Sequence, residues 1–506
     1  MKLATVYTRA LTGINAPEVH VEVHIANGLP ALSIVGLPEA AVRESKDRVR
    51  AAIINSHFEF PARRITINLA PADLPKDGGR YDLPIALGIL AASGQIDSSQ
   101  FESYEFHGEL ALSGMLRKVN GSLPVAIASK TAGRKLILPT HSAREAALVN
   151  DVKIYAANDL LSVCQHLQQL GELPDAHTLH TNNCDIKQII LPDMADVRGQ
   201  HHARRALEIA AAGRHNLIMV GPPGTGKSML ASRLASILPP MSEQQALESA
   251  SVCSISHQGF KLEQWKNRPF RNPHHTSSGV ALVGGGSKPT PGEISLAHQG
   301  VLFLDELTEY DRHVLDVLRE PMETGCITIS RAARQADFPA RFQLIAAMNP
   351  CPQGYSCDGK HLCQCSISQQ KRHRSKISAP FLDRIDMHIE VPRIDYRALD
   401  ASTEKGESSE LIRKRVAQAY QRQLERSSHC NAQLSVSEIE QFCLLGSAEK
   451  ALLNKAMDKL KLSARAYHRI LKLARTIADI DASSNIENSH ISEAISYRSL
   501  DRFFSG

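Results

Sequence analysis

The segment Gly221-Pro222-Pro223-Gly224-Thr225-Gly226-Lys227-Ser228 carries the strongest chemical signal in the chain. It fits G-x-x-x-x-G-K-[ST], in which glycines let the backbone curl so that its N–H groups face a phosphate. Lys227 is spaced to reach the β and γ phosphates of ATP, and the Ser228 hydroxyl to ligate Mg2+. A second run, Val301-Leu302-Phe303-Leu304, is apolar and ends in Asp305-Glu306. Asp305 is placed to hold Mg2+, and Glu306 to orient or deprotonate the water that attacks the γ phosphate. A third run, Phe342–Met348, ends in Asn349, whose amide could contact the γ phosphate or that water. Nucleoside triphosphate hydrolysis follows as chemistry. What it drives does not.

These residues need elements to hold them. Asn216–Val220 reads as a short buried strand and Ser228–Ala235 as a helix whose positive N-terminal end adds to the phosphate loop. A buried parallel strand delivers its terminal residues to the crevice at its carboxyl end, where ligands bind. Three such strands separated by helical stretches predict a doubly wound α/β core.

The rest of the chain is organised around that core. A length of 506 residues suggests about three domains. Residues 1–170 form an α+β block: Val19–Ile25 and Arg64–Leu69 alternate as half-buried strands do, and Ala40–Ile53 has helical spacing. Residues 171–195 read as a polar linker, 196–397 as the α/β core, and 408–506 as a small all-α lid. In the lid, Ser437 with Glu440 fits a capping box, and Ile470, Leu473 and Ile477 mark one helix face. The stretch between Lys227 and Asp305 is longer than one helix and one strand need. A second excursion, Thr324–Arg331, reads as a hairpin arm with Arg331 and Arg334 on or beside it. Long insertions in such a core are usually functional.

Composition is that of a globular protein, 43% hydrophobic and 22% charged, with a formal charge of +5. The mild positive excess is compatible with a polyanionic partner. No apolar run approaches the roughly 20 residues that span a bilayer, so a cytoplasmic location with reduced thiols is expected. Four of the ten cysteines, Cys351, Cys357, Cys363 and Cys365, follow Asn349 closely. Four thiols in one polar loop could form a tetrahedral Zn2+ site, with His361 as an alternative ligand, or could simply remain thiols.

At this point the residues carry a family resemblance. Gly221–Ser228, Asp305-Glu306, Asn349 and a helical lid resemble an AAA+ ATPase. Asp196-Val197-Arg198-Gly199-Gln200, Phe270–His275, Pro291–His298, Leu382-Asp383-Arg384-Ile385-Asp386 and Leu462–Tyr467 resemble its magnesium-chelatase-like branch, the ComM/YifB family. The similarity runs over nearly the whole chain. It implies a homo-hexameric ring with ATP at subunit interfaces. Arg384 matches the arginine finger, and Arg465 the lid arginine called sensor 2, acting in cis or in trans. It further implies a motor on single-stranded and branched DNA, without sequence preference, that migrates branches during recombination in natural transformation. Arg331 and Arg334 would then contact DNA phosphates. A chelatase-type motor that remodels a protein partner and an ATP-dependent protease are the alternatives. The family's Cys-Pro-Cys-Gly is here Cys351-Pro352-Gln353-Gly354, which puts zinc in question. The N-terminal block resembles the Lon protease domain through Leu74-Pro75-Lys76-Asp77-Gly78-Gly79, but Arg80 and Pro124 stand where its serine and lysine belong. That pair has no nucleophile and no base, so an inactive module is expected.

Overall fold

The computed structural model describes residues 2–181, 191–286, 289–331, 334–353, 365–393, 406–460 and 462–500. The chain divides into two compact units. One comprises Met1–Gln188 together with Ala250–Trp265, the other Ile189–Ser249 together with Lys266–Gly506. The sixteen-residue return to the first unit comes from within the long stretch between the phosphate loop and Asp305.

The first unit is built on a four-stranded sheet ordered Lys2–Arg9, Glu18–Ala26, Arg64–Ala70, Ala31–Val35, the last pair parallel and the others antiparallel. Alternation in Glu18–Ala26 buries Val19, Val21, Val23 and Ile25 on one face. The nearly all-apolar helix Asp82–Ser93 packs on that face. The helix expected over Ala40–Ile53 is two, Ala40–Arg43 and Ser45–Asn55, broken at Glu44. A three-stranded parallel sheet, Tyr104–Phe106, Lys135–Pro139 and Ile154–Ala157, completes the unit. The stretch read as a linker contains the helix Ala176–Thr181.

Among the described residues, the second unit holds a sheet of five parallel strands. Across the sheet they run Phe270–Arg271, Val301–Leu304, Gln343–Met348, Leu217–Val220, Met387–Glu390. Val301–Leu304, Gln343–Met348 and Leu217–Val220 are buried throughout, as strands covered on both faces must be. A two-stranded hairpin, Cys326–Arg331 with Arg334–Pro339, stands outside this sheet.

Helices Ser409–Ser427, Val436–Phe442, Ser447–Leu460, Ala464–Ile480 and Asn488–Ser496 form the C-terminal part of the unit. Ile470, Leu473 and Ile477 are buried, as their spacing predicts. They join Leu217, Met219, Phe303 and Ile345 of the sheet in one continuous apolar cluster. The capping box sits two residues earlier than Ser437 and Glu440 predict. Ser435 caps the helix and Glu438 closes the box, the Ser435 N–H donating to Glu438 at 2.8 Å. The same Ser-x-x-Glu spacing occurs in both frames, and the earlier one turns Ile439 inward. No helix among the described residues is long and apolar enough to cross a membrane.

One buried carboxylate ties sheet and helices together. Asp386 accepts from the Asn216 main-chain N–H at 2.9 Å and pairs with Arg469 of the helix Ala464–Ile480. Burial alone would raise its pKa, but Arg469 and His215 hold it well below the usual carboxylate range. A carboxyl depressed on folding contributes stability above its unfolded pKa of about 4, and loses it as pH falls below that value. Asp386→Asn is therefore expected to cost about 3 kcal/mol near neutral pH. It should also flatten the acid side of the stability curve. Denaturant unfolding at several pH values checks both.

Candidate functional site

The phosphate loop joins the strand Leu217–Val220 to the helix Lys227–Ile237. Gly224 and Gly226 have φ of +77° and +86°, conformations that glycine reaches without strain, and Gly226 leaves the helix start without a side-chain cap. First-turn N–H groups are thus open to an anion. The Lys227 ammonium is folded into the loop. It donates to Gly221 O at 2.8 Å, Pro222 O at 2.9 Å and Asn349 Oδ1 at 3.2 Å. Burial pulls its pKa below the ordinary lysine range, with Asp305 and Glu306 opposing. Its present acceptors are weak oxygens that a phosphate would replace with charged ones.

Neighbouring strands bring the other residues to the same edge. Val301–Leu304 ends at Asp305, whose Oδ2 accepts from Ser228 Oγ at 2.5 Å. Two hard oxygen ligands side by side suit Mg2+. Glu306 follows in a left-handed conformation, φ +50°, rare for a side chain with a Cβ. Its half-exposed carboxylate lies 3.2 Å from His275 Nδ1. Asn349 leaves Gln343–Met348, and its main-chain oxygen sits 3.1 Å from His373 Nε2. Lys227, Ser228, Asp305, Glu306 and Asn349 therefore converge as spacing predicts. His275 and His373 were not legible as neighbours of this site: each comes from a segment whose approach depends on the tertiary fold.

Arg384 and Arg465 lie elsewhere. Arg384 precedes the strand Met387–Glu390, which runs parallel to Leu217–Val220 with Leu217 opposite Met387. The phosphate loop leaves the carboxyl edge of the sheet, while Arg384 enters at the amino edge, about 13 Å away over a four-residue strand. Arg384 is 9% exposed. It pairs with Glu323 at 2.6 Å and donates to Pro380 O at 2.7 Å, and its buried Nε has no acceptor among the described residues. Arg465, 62% exposed, stands 4.0 Å from Asp383. Both arginines line one open cavity of about 770 Å³, with Arg214, Arg341, Arg469 and Lys472 supplying further positive charge. Its described walls include none of the residues Gly221–Ser228. Burial draws the Lys472 pKa down, against the pull of Asp386.

Arg331 and Arg334 pair in register at the turn end of the hairpin, and their side chains lie outside the described residues. Cys351 is buried and Cys365 half-buried, while Cys357, Cys363 and His361 lie outside the described residues. Among the described residues no three His, Cys, Asp or Glu side chains gather as a metal site, so no step is assigned to zinc.

Parallel sheet, phosphate loop and acidic strand end are those of an AAA+ P-loop core, and the matching family models make it magnesium-chelatase-like. Residues 193–399 match the family model for magnesium chelatase, subunit ChlI, residues 406–498 the model for its C-terminal part, and residues 21–142 a further model for subunit ChlI of Mg-chelatase. The chain is 51% identical over 505 residues to competence protein ComM of Haemophilus influenzae, covering 99% of this chain and 98% of that protein. It is 50% identical over 504 residues to the protein YifB of Salmonella typhimurium, with the same coverage. The magnesium-chelatase subunit ChlI of a Nostoc species is 25% identical over 238 residues, 42% of this chain and 57% of that one. The chain belongs to the ComM/YifB family.

Two substitutions separate binding from chemistry at the loop. Lys227→Ala is expected to weaken ATP affinity about tenfold or more, since hydrogen bonds to charged groups contribute roughly 1.5–3 kcal/mol. Glu306→Gln should leave that affinity intact and slow hydrolysis by about a hundredfold or more. Titration with a fluorescent ATP analogue and single-turnover hydrolysis measure the two effects.

Proposed function

We propose that the chain is an ATP-driven DNA translocase that assembles as a hexameric ring and promotes branch migration of incoming DNA in natural transformation. The carrying observation is the separation of two half-sites. Lys227, Ser228, Asp305, Glu306 and Asn349 gather at one edge of the sheet, and Arg384 with Arg465 at the other. A nucleotide on the loop is beyond reach of its own subunit's Arg384. A neighbouring subunit supplies the missing cation.

In this reading Lys227 exchanges its loop carbonyls for the β and γ phosphates. Ser228 and Asp305 hold Mg2+, which when bound neutralises phosphate charge. Glu306 orients the attacking water, and Asn349, released by Lys227, donates its amide to the γ phosphate or that water. Arg384 of each subunit reaches the γ phosphate held by its neighbour and meets the charge that develops as the phosphoryl group departs. Arg465 shares a cavity with Arg384, which favours action in trans for both.

DNA as the substrate is supported by the name of the Haemophilus relative, by the chain's positive charge and by the arginines at the hairpin end. The first unit is read as a binding or ring-stabilising module without peptidase chemistry. Support comes from the two positions where the resemblance puts serine and lysine: Arg80 donates to Asn120 O at 3.4 Å, and Pro124 is buried within the helix Ser122–Ala132. A second reading, a chelatase-type motor acting on a protein partner, is favoured by the descriptions of the matching family models.

DNA decides between them. A translocase should hydrolyse ATP faster with mixed-sequence single-stranded or branched DNA; a chelatase-type motor should not respond. Phosphate contacts release condensed counterions, so affinity should fall steeply with salt. Replacing Arg331 and Arg334 together by Ala should reduce the salt slope by about two per subunit engaged and abolish DNA stimulation, while DNA-free hydrolysis persists. Fluorescence anisotropy at several salt concentrations, with parallel ATPase assays, tests this. Unchanged affinity and stimulation would place the DNA path elsewhere.

A further inference from the structure

The finger segment is held at both ends by the two short helices that lead into the hairpin. Those helices are Arg312–Val317 and Arg319–Thr324, and the hairpin strand begins at Cys326. The finger segment is the helix Ala379–Leu382 with its flanks. At its start, Ser378 Oγ donates to Asp316 Oδ1 at 2.9 Å. At its end, the Arg384 guanidinium meets Glu323 Oε1 at 2.6 Å. The helices and hairpin are joined without slack: the Ala340 N–H donates to Gly325 O at 2.7 Å, and Thr324 Oγ1 accepts from the Cys326 N–H at 3.2 Å. Asp316 and Glu323, the residues that hold the two ends of the finger segment, thus lie on the helices that root the hairpin.

The contacts at Arg384 differ in kind. Pro380 O lies on the finger segment itself and only sets the side chain's path. Glu323 is charged and half exposed, where an ion pair is weak enough to be exchanged. The guanidinium Nε–H is buried without an acceptor among the described residues. An unpaired buried donor beside an exchangeable carboxylate suits an arriving anion, which can satisfy the first and displace the second.

We infer that Glu323 is a positioning residue for Arg384: it competes with the neighbouring subunit's phosphate for the guanidinium and yields when the hairpin moves. The inference rests on the assignment of Arg384 as a finger acting across an interface, and it adds the link from hairpin to hydrolysis. The hairpin root carries the position of the polyanion to the finger. Without a load on the hairpin, Glu323 holds Arg384 back and keeps hydrolysis slow.

The test compares Glu323→Gln and Glu323→Asp with the unsubstituted full-length protein and with Arg384→Ala. Steady-state ATPase is measured without DNA and with a mixed-sequence single-stranded oligonucleotide, and thermal midpoints are recorded. Glu323→Gln is expected to raise the DNA-free kcat roughly two- to fivefold, the range that a half-exposed ion pair supports, at unchanged KM for ATP. The ratio of DNA-stimulated to DNA-free rates should fall by about the same factor. Glu323→Asp keeps the charge and should lie close to the unsubstituted protein. Unaltered DNA-free rate and unaltered ratio in Glu323→Gln, with Arg384→Ala inactive, would overturn the inference and leave the finger assignment standing. A fall of both rates by one factor would overturn it too, because Glu323 would then only support the shape of the segment. Full activity of Arg384→Ala would remove the finger assignment on which it rests.

Discussion

The site depends on a buried polar junction between Asn216 and Asp386. The Asn216 main-chain N–H donates to Asp386; its side-chain amide donates to Arg384 O at 3.1 Å and accepts from the Leu344 N–H at 2.8 Å. Arg469 reaches the same segment from the helix Ala464–Ile480, and Arg498, in the turn after Asn488–Ser496, donates to Ile385 O at 2.7 Å. Start of the phosphate-loop strand, start of the Asn349 strand, the Arg384 segment and the helical part thus meet at one point on the amino edge of the sheet. A buried charge of this kind is tolerable only when paired and fully hydrogen-bonded. The requirement fixes which residues surround it, and so fixes Arg384 relative to the sheet.

A parallel sheet then imposes a division of labour. All five strands point one way, so residues that follow strands collect at one edge and residues that precede them collect at the other. Lys227, Asp305, Glu306 and Asn349 belong to the first group, Arg384 to the second. No local rearrangement of a four-residue strand brings the two groups together. In the proposed reading, incompleteness of the single chain is a consequence of this topology, and assembly brings the two groups to one phosphate. Arg465, on a helix anchored to the Asp386 junction through Arg469, falls with Arg384 for the same reason.

The readable part of this arrangement was local. The phosphate loop announces itself because glycine conformation, a lysine and a hydroxyl must occur at fixed spacing. Buried strands announce themselves as apolar runs, and Val19–Ile25 by strict alternation. Local rules also misled where two frames satisfied them equally. Ser435 and Ser437 each precede a glutamate by three residues, and burial of Ile439 selects the first. The apolar spacing over Ala40–Ile53 does not register the break at Glu44. What sequence did not reveal was long-range: the contact of His275 with Glu306, of Glu323 with Arg384, and the membership of Ala250–Trp265 in the first unit. None of these has a spacing rule, because each is decided by which surfaces the fold brings together.

The central claim is that each subunit carries two halves of different sites. Mixing two variants tests it most directly. Lys227→Ala removes the loop half and keeps the finger; Arg384→Ala does the reverse. Each alone should be nearly inactive in ATP hydrolysis. After subunit exchange, verified by mass photometry of differently tagged chains, the mixture should regain activity, because some interfaces then pair an intact loop with an intact finger. An Arg384→Ala protein as active as the unsubstituted one, or an exchanged mixture as inactive as its parents, would contradict the account.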